Sequence, residues 1–427
     1  MIERILTYEF SIFKQRLSLR DFFKNPVFSG SLIMLVGSNL ANVVAYAYHL
    51  LMGRVLGPSL YSEVAAFIAT TGLIGATFSF LSLVIVKFVA SVDKKGQTTL
   101  FKWLDGYTYK IGLAIAVVVG LLSPMLASFL HIDTKIFFIA APTMFFSFAL
   151  LVYRSFLHGL VRFWQVVVLS NTELILRLVL GLLFVYLGFS VGGVIFAMLV
   201  ASVTVFLLSY LFVKDFRMKK SGGRFTQGKK FAKYSVPILL SSIATSSFFM
   251  TDVAMVKHYF SSYDAGLYAA VSTLGRMIYY GTAPVALVMF PLASQRFAKG
   301  ASTKKVFLTS LFLSLAISLF ILLLFYLFPE FAISALFGNA YLPASGLVAF
   351  FGVFMVLFSL SSFITNYFLS REKTIVAYIM TVAAALQVFG IYFFHSSLAQ
   401  VVWVSVVSVS FLLVALLIYF GYEFKNK

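Results

Sequence analysis

The chain is built of long apolar runs separated by short breaks that contain Gly, Pro or charged residues. A helix needs about 20 consecutive apolar residues to cross the hydrocarbon core of a bilayer. By that measure the sequence predicts twelve spans. They cover approximately residues 28–52, 63–88, 107–129, 136–157, 164–187, 190–213, 233–256, 266–292, 306–328, 342–368, 375–394 and 398–421. The predicted fold class is an all-α polytopic membrane protein.

Composition agrees with a membrane protein, because 61% of the residues are hydrophobic and only 11% are charged. Soluble domains average roughly 45–50% apolar and about 25% charged residues. The runs lack the alternating pattern of barrel strands, and lipid-facing backbone must be hydrogen-bonded internally, so the spans are predicted to be helices. Cys is absent and His numbers five. We therefore expect no disulfide, no metal site and no cofactor.

The distribution of charged residues predicts on which side of the membrane each loop lies. Lys and Arg number 33 against 14 acidic residues, which gives a net charge of +19. With the N-terminus inside, most of these cations fall in one set of loops, and the opposite loops contain only Arg54, Lys135 and Lys257. We call the side with these three residues the outward face. The bias predicts that both termini are cytoplasmic. It also accounts for most of the positive charge, so nucleic acid is not expected as a partner.

The basic loop at the midpoint divides the chain into two sets of six spans. Residues 1–27 mix charges with apolar residues near helical spacing, which favours an interfacial amphipathic segment over a signal peptide. The predicted order then continues with a first bundle at 28–213, a basic cytoplasmic linker at 214–232, a second bundle at 233–421 and a cytoplasmic tail at 422–427.

The two bundles share a repeated polar stripe in their first spans, at an offset of 203 residues. Four members of each stripe lie on one helical face, and a cation follows. The pairs are Asn39 with Ser242, Asn42 with Thr245, Tyr46 with Phe249, His49 with Asp252, and Arg54 with Lys257. Because each set has an even number of spans, both sets have the same orientation. Parallel repeats of this kind suit a transporter with a central cavity.

Charged residues inside the spans need partners or water. Glu173 and Arg177 lie at i and i+4, which predicts a structural ion pair. Asp252 has two interpretations: it is a coupling-ion or proton site, or it is the counter-ion of Arg276 or Lys257.

Arg276 belongs to a stripe on the eighth span with Tyr268, Ser272 and Tyr279. A guanidinium in mid-span should face the protein interior, where it matches the geometry of a phosphate group. Arg54 and Lys257 lie near helix ends. They either reach toward the interface and the helix dipole or bind an anionic substrate.

Three stretches carry a resemblance to a known family: RVLGPSLYSEVAA at 54–66, DVAMVKHYFSSYDAGLYAAVSTL at 252–274, and YRSFLHGLVRF at 153–163. Together with the pattern of six plus six spans, the chain resembles the polysaccharide and oligosaccharide flippases of the multidrug/oligosaccharidyl-lipid/polysaccharide exporter superfamily. The resemblance implies two bundles around a cavity that opens to each side in turn. It also implies a polyprenyl-pyrophosphate-linked oligosaccharide as substrate, moved during surface polysaccharide biosynthesis.

These observations lead to one hypothesis, a flippase of the cytoplasmic membrane that carries out no covalent chemistry. Its coupling ion, H+ or Na+, is left open. We expect a monomer whose partners are the lipid-linked oligosaccharide, membrane lipids and polysaccharide-assembly proteins. The residues predicted to bind substrate are Arg54, Lys257, Arg276, Asn39, Asn42, Tyr46, Ser242, Thr245, Tyr268 and Tyr279.

Three alternatives remain at this point. A multidrug or cation exporter would require acidic groups in the cavity, and Asp252 and Glu173 are the candidates. A lipid II flippase is a close variant. A membrane glycosyltransferase or polymerase would need a catalytic constellation, generally on a sizeable outward loop, and the outward loops of this chain are short.

Overall fold

The computed structural model describes residues 26–219, 228–298, 302–371 and 373–425. The amphipathic segment predicted at 1–27 therefore lies almost wholly outside the described residues. The same holds for residues 220–227 of the predicted linker.

The first half of the chain is helical throughout its described spans. Its helices are α1 (Pro26–Ser79), α2 (Leu81–Ala90), α3 (Lys94–Leu130), α4 (Thr134–Phe137), α5 (Ala140–Gly159), α6 (Phe163–Tyr186), α7 (Ser190–Phe212) and α8 (Lys214–Met218).

The second half repeats this order of elements. Its helices are α9 (Gly228–Tyr259), α10 (Ser262–Ala298), α11 (Lys304–Leu327), α12 (Pro329–Phe337), the 3-10 helix η1 (Asn339–Ala344), α13 (Ser345–Leu369), α14 (Ile375–Phe393) and α15 (Leu398–Lys425).

Helix α1 is two antiparallel spans joined at Gly57. The backbone of Gly57 has φ 72° and ψ 172°, a conformation that glycine adopts without a steric penalty. Nδ1 of His49 lies 3.1 Å from the hydroxyl of Tyr61, whereas an uninterrupted helix would separate these residues by about 18 Å. The second span thus begins directly after Gly57, and the loop predicted between the first two spans is instead a sharp reversal between helices.

The prediction of twelve spans is confirmed. In the described residues, nine helical stretches are long and apolar enough to cross a membrane. One of them, Ile33–Ala90, contains the reversal in α1 and therefore crosses twice. Helices α9 and α10, of 32 and 37 residues, supply the remaining two crossings.

Local chemistry explains where several helices begin and end. The carboxylate of Asp93 accepts a hydrogen bond of 2.9 Å from the backbone N–H of Gly96, which caps the start of α3. Helix α3 ends at Leu130, and the residue that follows it, His131, has φ 53°. Pro329 occupies the first turn of α12, where a missing N–H costs little, and Gly338 with φ 97° ends that helix. Helix α12 lies on the outward face, where the sequence predicts only a loop.

Two helical hairpins related by the repeat form the centre of the molecule: the two spans of α1, and the pair α9 and α10. Helix α1 packs against α6 of its own half and against both α9 and α10 of the other half. In the second half, α10 packs on α13 and α9 packs on α14. The boundary between the halves therefore lies along the spans that carry the repeated polar stripe.

Candidate functional site

A small cavity lies at the boundary between the halves. Its volume is about 110 Å³. Both the polar stripe of α1 and the stripe of α10 contribute to its wall. The lining residues are Asn42, Ala45, Tyr46, His49, Thr273, Arg276 and Tyr280.

Arg276 is the charged residue of this central cavity. Its Nη2 donates to the backbone carbonyl of Phe249 and lies 4.0 Å from Oδ1 of Asp252. Its side chain is 19% exposed, and its Nε is buried and finds no hydrogen-bond partner within the described part of the chain. The guanidinium therefore faces the protein interior, as the cost of a lipid-facing charge requires.

Asp252 is fully buried beside Arg276. Its carboxylate accepts hydrogen bonds of 2.9 Å from the hydroxyl of Tyr268 and 2.8 Å from the backbone N–H of Val253. The sequence leaves Arg276 and Lys257 open as the counter-ion of Asp252, and in the structure Arg276 is the one beside this carboxylate. Lys257 instead donates to the hydroxyl oxygens of Ser62 and Ser262. A coupling role for Asp252 stays a prediction.

Hydroxyl groups near the central cavity connect the two halves. The Tyr61 hydroxyl lies 3.1 Å from Nδ1 of His49 and 3.4 Å from Oγ1 of Thr273. The rings of Tyr46 and Tyr280 meet edge to face with centroids 5.8 Å apart. Tyr46 also has a buried hydroxyl for which the described residues supply no hydrogen-bond partner. This combination of hydroxyls and aromatic faces is suited to a sugar.

The outward face holds the halves together through Arg54 and Lys257. Arg54 donates through Nε to the carbonyl of Leu336 at 2.9 Å, and through Nη2 to the carbonyl of Ala335. It thus caps the C-terminus of α12, a helix of the other half, with a favourable charge. Lys257 bonds Ser62 at 3.0 Å and Ser262 at 2.7 Å, and so joins the tips of both hairpins.

Two further contacts complete what we call the outward latch, which comprises these bonds of Arg54 and Lys257 together with Tyr341–Gly53 and Gly266–Pro58. The Tyr341 hydroxyl donates to the carbonyl of Gly53 at 2.8 Å. Gly266 touches the backbone of Pro58 so closely that a Cβ atom would lie 1.9 Å from the carbonyl oxygen. The cationic groups of Arg54 and Lys257 are occupied by the latch in this conformation.

A larger cavity of about 380 Å³ lies in the first half, and Met250 of α9 also lines it. Arg154, Glu173 and Arg177 are the charged residues of its lining. Arg154 Nη2 lies 2.6 Å from Oε2 of Glu173, and Arg177 Nη2 lies 3.4 Å from Oε1. The predicted pair of Glu173 and Arg177 is therefore present, but it is part of a group of three. Sequence reasoning missed Arg154, although the stretch YRSFLHGLVRF contains it and an arginine inside a span calls for an acidic partner.

The second half contains a cavity of about 310 Å³, and none of the described residues that line it is charged. Tyr279, Thr282 and Ser359 line it, and the two hydroxyls of Thr282 and Ser359 lie 2.5 Å apart.

Several predicted site residues lie away from the central cavity. Tyr268 is fully buried inside the second half, and Thr245 contacts Met380 of α14 with 3.8 Å between Oγ1 and Sδ. Ser242 is half-buried. Asn39 is exposed and donates to the carbonyl of Leu35 in its own helix at 2.8 Å. The structure brings together Asn42, Tyr46 and Arg276, and it keeps Ser242 and Thr245 of the α9 stripe out of the lining of the central cavity.

Comparison with solved structures identifies the fold. The chain is similar to the lipid II flippase MurJ in an inward closed conformation, with a TM-score of 0.75 and 14% identity over 91% of this chain and 87% of that one. It is similar to an inward-facing multidrug resistance MATE family transporter of the MOP superfamily, with a TM-score of 0.72 and 17% identity over 92% and 98%. A MOP superfamily transporter from Pyrococcus furiosus gives 0.64 and 16% over 94% and 95%.

At these identities the likeness shows a shared fold, that of membrane transporters with two six-helix bundles. No curated protein matches the chain in sequence. A family model described as polysaccharide biosynthesis protein matches residues 51–346, more than two thirds of the chain. The chain is therefore a multi-pass membrane protein that belongs to the polysaccharide biosynthesis protein family.

Proposed function

We propose that this protein is a flippase that moves a polyprenyl-pyrophosphate-linked oligosaccharide across the cytoplasmic membrane, with the halves opening to each side in turn. The observation that carries the proposal is the position of Arg276. It is a half-buried guanidinium that lines a cavity between the halves, within a family of polysaccharide biosynthesis proteins.

A pyrophosphate requires cationic donors in a site shielded from lipid. Arg276 keeps part of its guanidinium free, because its nearest acid, Asp252, is 4.0 Å away and already accepts from Tyr268. A charge-assisted bond to phosphate oxygen is stronger than this long contact. Pyrophosphate can therefore compete for Arg276 without leaving Asp252 unsatisfied.

The sugar chain requires hydroxyl, amide and aromatic groups on the same wall. Asn42, Tyr46, Thr273 and Tyr280 provide them around Arg276. The outward latch closes this wall on the outward face. Release of the latch would expose the same cavity to the other leaflet, which is the requirement for translocation.

The test is a flipping assay in proteoliposomes with a fluorescent polyprenyl-pyrophosphoryl disaccharide, under H+ and Na+ gradients in turn. We expect wild-type protein to move the label between leaflets and Arg276→Gln to slow it about tenfold or more, since a charge-assisted hydrogen bond contributes about 1.5–3 kcal/mol. Arg296→Gln is the matched control, because Arg296 is exposed at the far end of the same helix.

A second variant separates transport from folding. In Arg276→Gln with Asp252→Asn, the buried carboxylate is removed together with its counter-ion, so no charge is left unpaired. The proposal is wrong if wild type leaves the leaflet distribution unchanged under every gradient. Movement of organic cations in place of the anionic lipid would support an exporter instead.

A further inference from the structure

The cavity of the first half carries an excess of positive charge that the proposed transport of pyrophosphate does not use. Glu173 has one negative charge, and both of its oxygens are engaged, one by Arg154 and one by Arg177. The group of three therefore has a net charge of +1. The cavity's other lining residues come from α1, α2, α5, α7 and α9 and are uncharged.

A net charge inside a membrane protein is costly unless water or a counter-ion balances it. Each guanidinium bonds Glu173 through Nη2 alone, and Nε of both Arg154 and Arg177 lacks a hydrogen-bond partner among the described residues. The two side chains are 30% and 23% exposed. Because both side chains line the cavity and are partly exposed, an anion that enters it can approach their guanidinium groups.

The size and chemistry of the cavity fit one sugar residue. A volume of about 380 Å³ lies at the lower end of the range for small-molecule sites. Thr71, Ser82 and Ser147 place hydroxyl groups on the same wall, and a guanidinium fork matches a carboxylate.

This cavity also lies next to the central one. Met250 lines the first-half cavity, and the carbonyl of its neighbour Phe249 accepts from Arg276. A cargo with its pyrophosphate at Arg276 can therefore extend a sugar toward Arg177.

We infer that the first-half cavity is a second anion site, which receives the carboxylate of an acidic sugar in the translocated glycan. This inference rests on the proposed function and narrows the substrate to lipid-linked oligosaccharides that contain a sugar acid. The neutral, hydroxyl-lined cavity of the second half has no such requirement.

The experiment compares two cargoes that differ in one group, polyprenyl-pyrophosphoryl disaccharides ending in glucuronate or in glucose. We expect wild type to move the glucuronate cargo at least tenfold faster. Arg154→Gln and Arg177→Gln should each abolish that preference and leave the glucose rate unchanged. Each variant keeps one arginine on Glu173, so the remaining pair is charge-balanced and folding should be preserved.

Arg162→Gln is the control, since Arg162 lies in the turn before α6, outside the cavity, and donates to the carbonyl of Phe212 at 3.3 Å. Equal rates for both cargoes in wild type would overturn the inference while the proposed function stands. An equal loss of the transport rate for both cargoes in Arg154→Gln would also overturn the inference, because the cavity would then bind the pyrophosphate that both cargoes share.

Calorimetric titration with free glucuronate keeps the inference testable if neither cargo moves, an outcome that would reject the proposed function. We expect glucuronate to bind wild type, glucose not to bind, and both variants to weaken glucuronate binding at least tenfold. Binding that is absent in wild type, or unchanged in both variants, would refute the site.

Discussion

Gly266 offers the sharpest test of how the halves close. In Gly266→Ala, the new Cβ would lie 1.9 Å from the carbonyl oxygen of Pro58, 2.4 Å from its carbonyl carbon and 2.8 Å from its Cα. All three atoms are backbone, so no side chain can rotate away. Cβ contacts shorter than 3.0 Å are essentially never observed. The two hairpin tips must therefore separate by about 1 Å.

That separation would break the neighbouring bonds of the outward latch. The bonds Lys257–Ser62 and Tyr341–Gly53, now 3.0 and 2.8 Å, would lengthen beyond hydrogen-bonding range. A neutral bond contributes about 1 kcal/mol and a charged one about 1.5–3 kcal/mol. We expect the substitution to disfavour the closed outward face by roughly 2–4 kcal/mol, a shift of about 30-fold to several hundred-fold in the population.

Spin-label distances measure this shift directly. The chain has no Cys, so Leu187→Cys and Phe394→Cys introduce two unique labelling sites. Both residues are exposed, one at the outward end of each half. We expect a longer distance in Gly266→Ala than in the parent.

Gly106→Ala is the matched control, because a Cβ at this position of α3 would meet nothing within 4 Å. It should leave the distance distribution unchanged. A Gly266→Ala protein with the parent distribution would refute the argument that this backbone contact sets the closed state.

Three further substitutions probe the charges and bonds of the site. Tyr341→Phe removes only the hydroxyl bonded to Gly53; it should lengthen the same spin-label distance in a smaller fraction of molecules, since about 1 kcal/mol is lost, and an unchanged distribution would contradict this. Glu173→Gln leaves its two arginine partners uncompensated; it should lower thermal stability in detergent by about 1–3 kcal/mol, more than loss of either arginine, and the reverse order would be evidence against the charge argument. Asp252→Asn should also destabilise the fold, because the buried carboxylate balances Arg276, and Arg276→Gln in the same chain should restore part of the loss; additive effects in this double-mutant cycle would show that the two residues are uncoupled.

The spans could be predicted closely because hydropathy is a local property. The run at 164–187 became Phe163–Tyr186, and the run at 375–394 became Ile375–Phe393. The sequence predicts a loop between residues 52 and 63, whereas the structure has a sharp reversal at Gly57. Apolar residues continue on both sides of this glycine, and only its backbone conformation marks the turn. Helix α12 was missed because nine residues between two spans have no periodic signal long enough to distinguish them from a loop.

The site could be predicted only in part. The free-energy cost of a charge that faces lipid predicts that Arg276 faces the protein interior, and the structure confirms it. The same reasoning could not assign partners: Arg54 caps a helix 280 residues away in the sequence, and Arg154 reaches Glu173 from another helix. Thr245 of the α9 stripe packs on Met380 in its own half, although its counterpart in α1 lines the central cavity.

Composition and the order of apolar runs therefore determined by themselves that this chain is a twelve-span membrane protein, because the bilayer imposes length and polarity on each span separately. Tertiary structure decided which arginines share an acid and which retain unused donors. It also decided which glycine lets two backbones touch. These properties depend on the rotation and approach of helices far apart in the chain, and no single span encodes them.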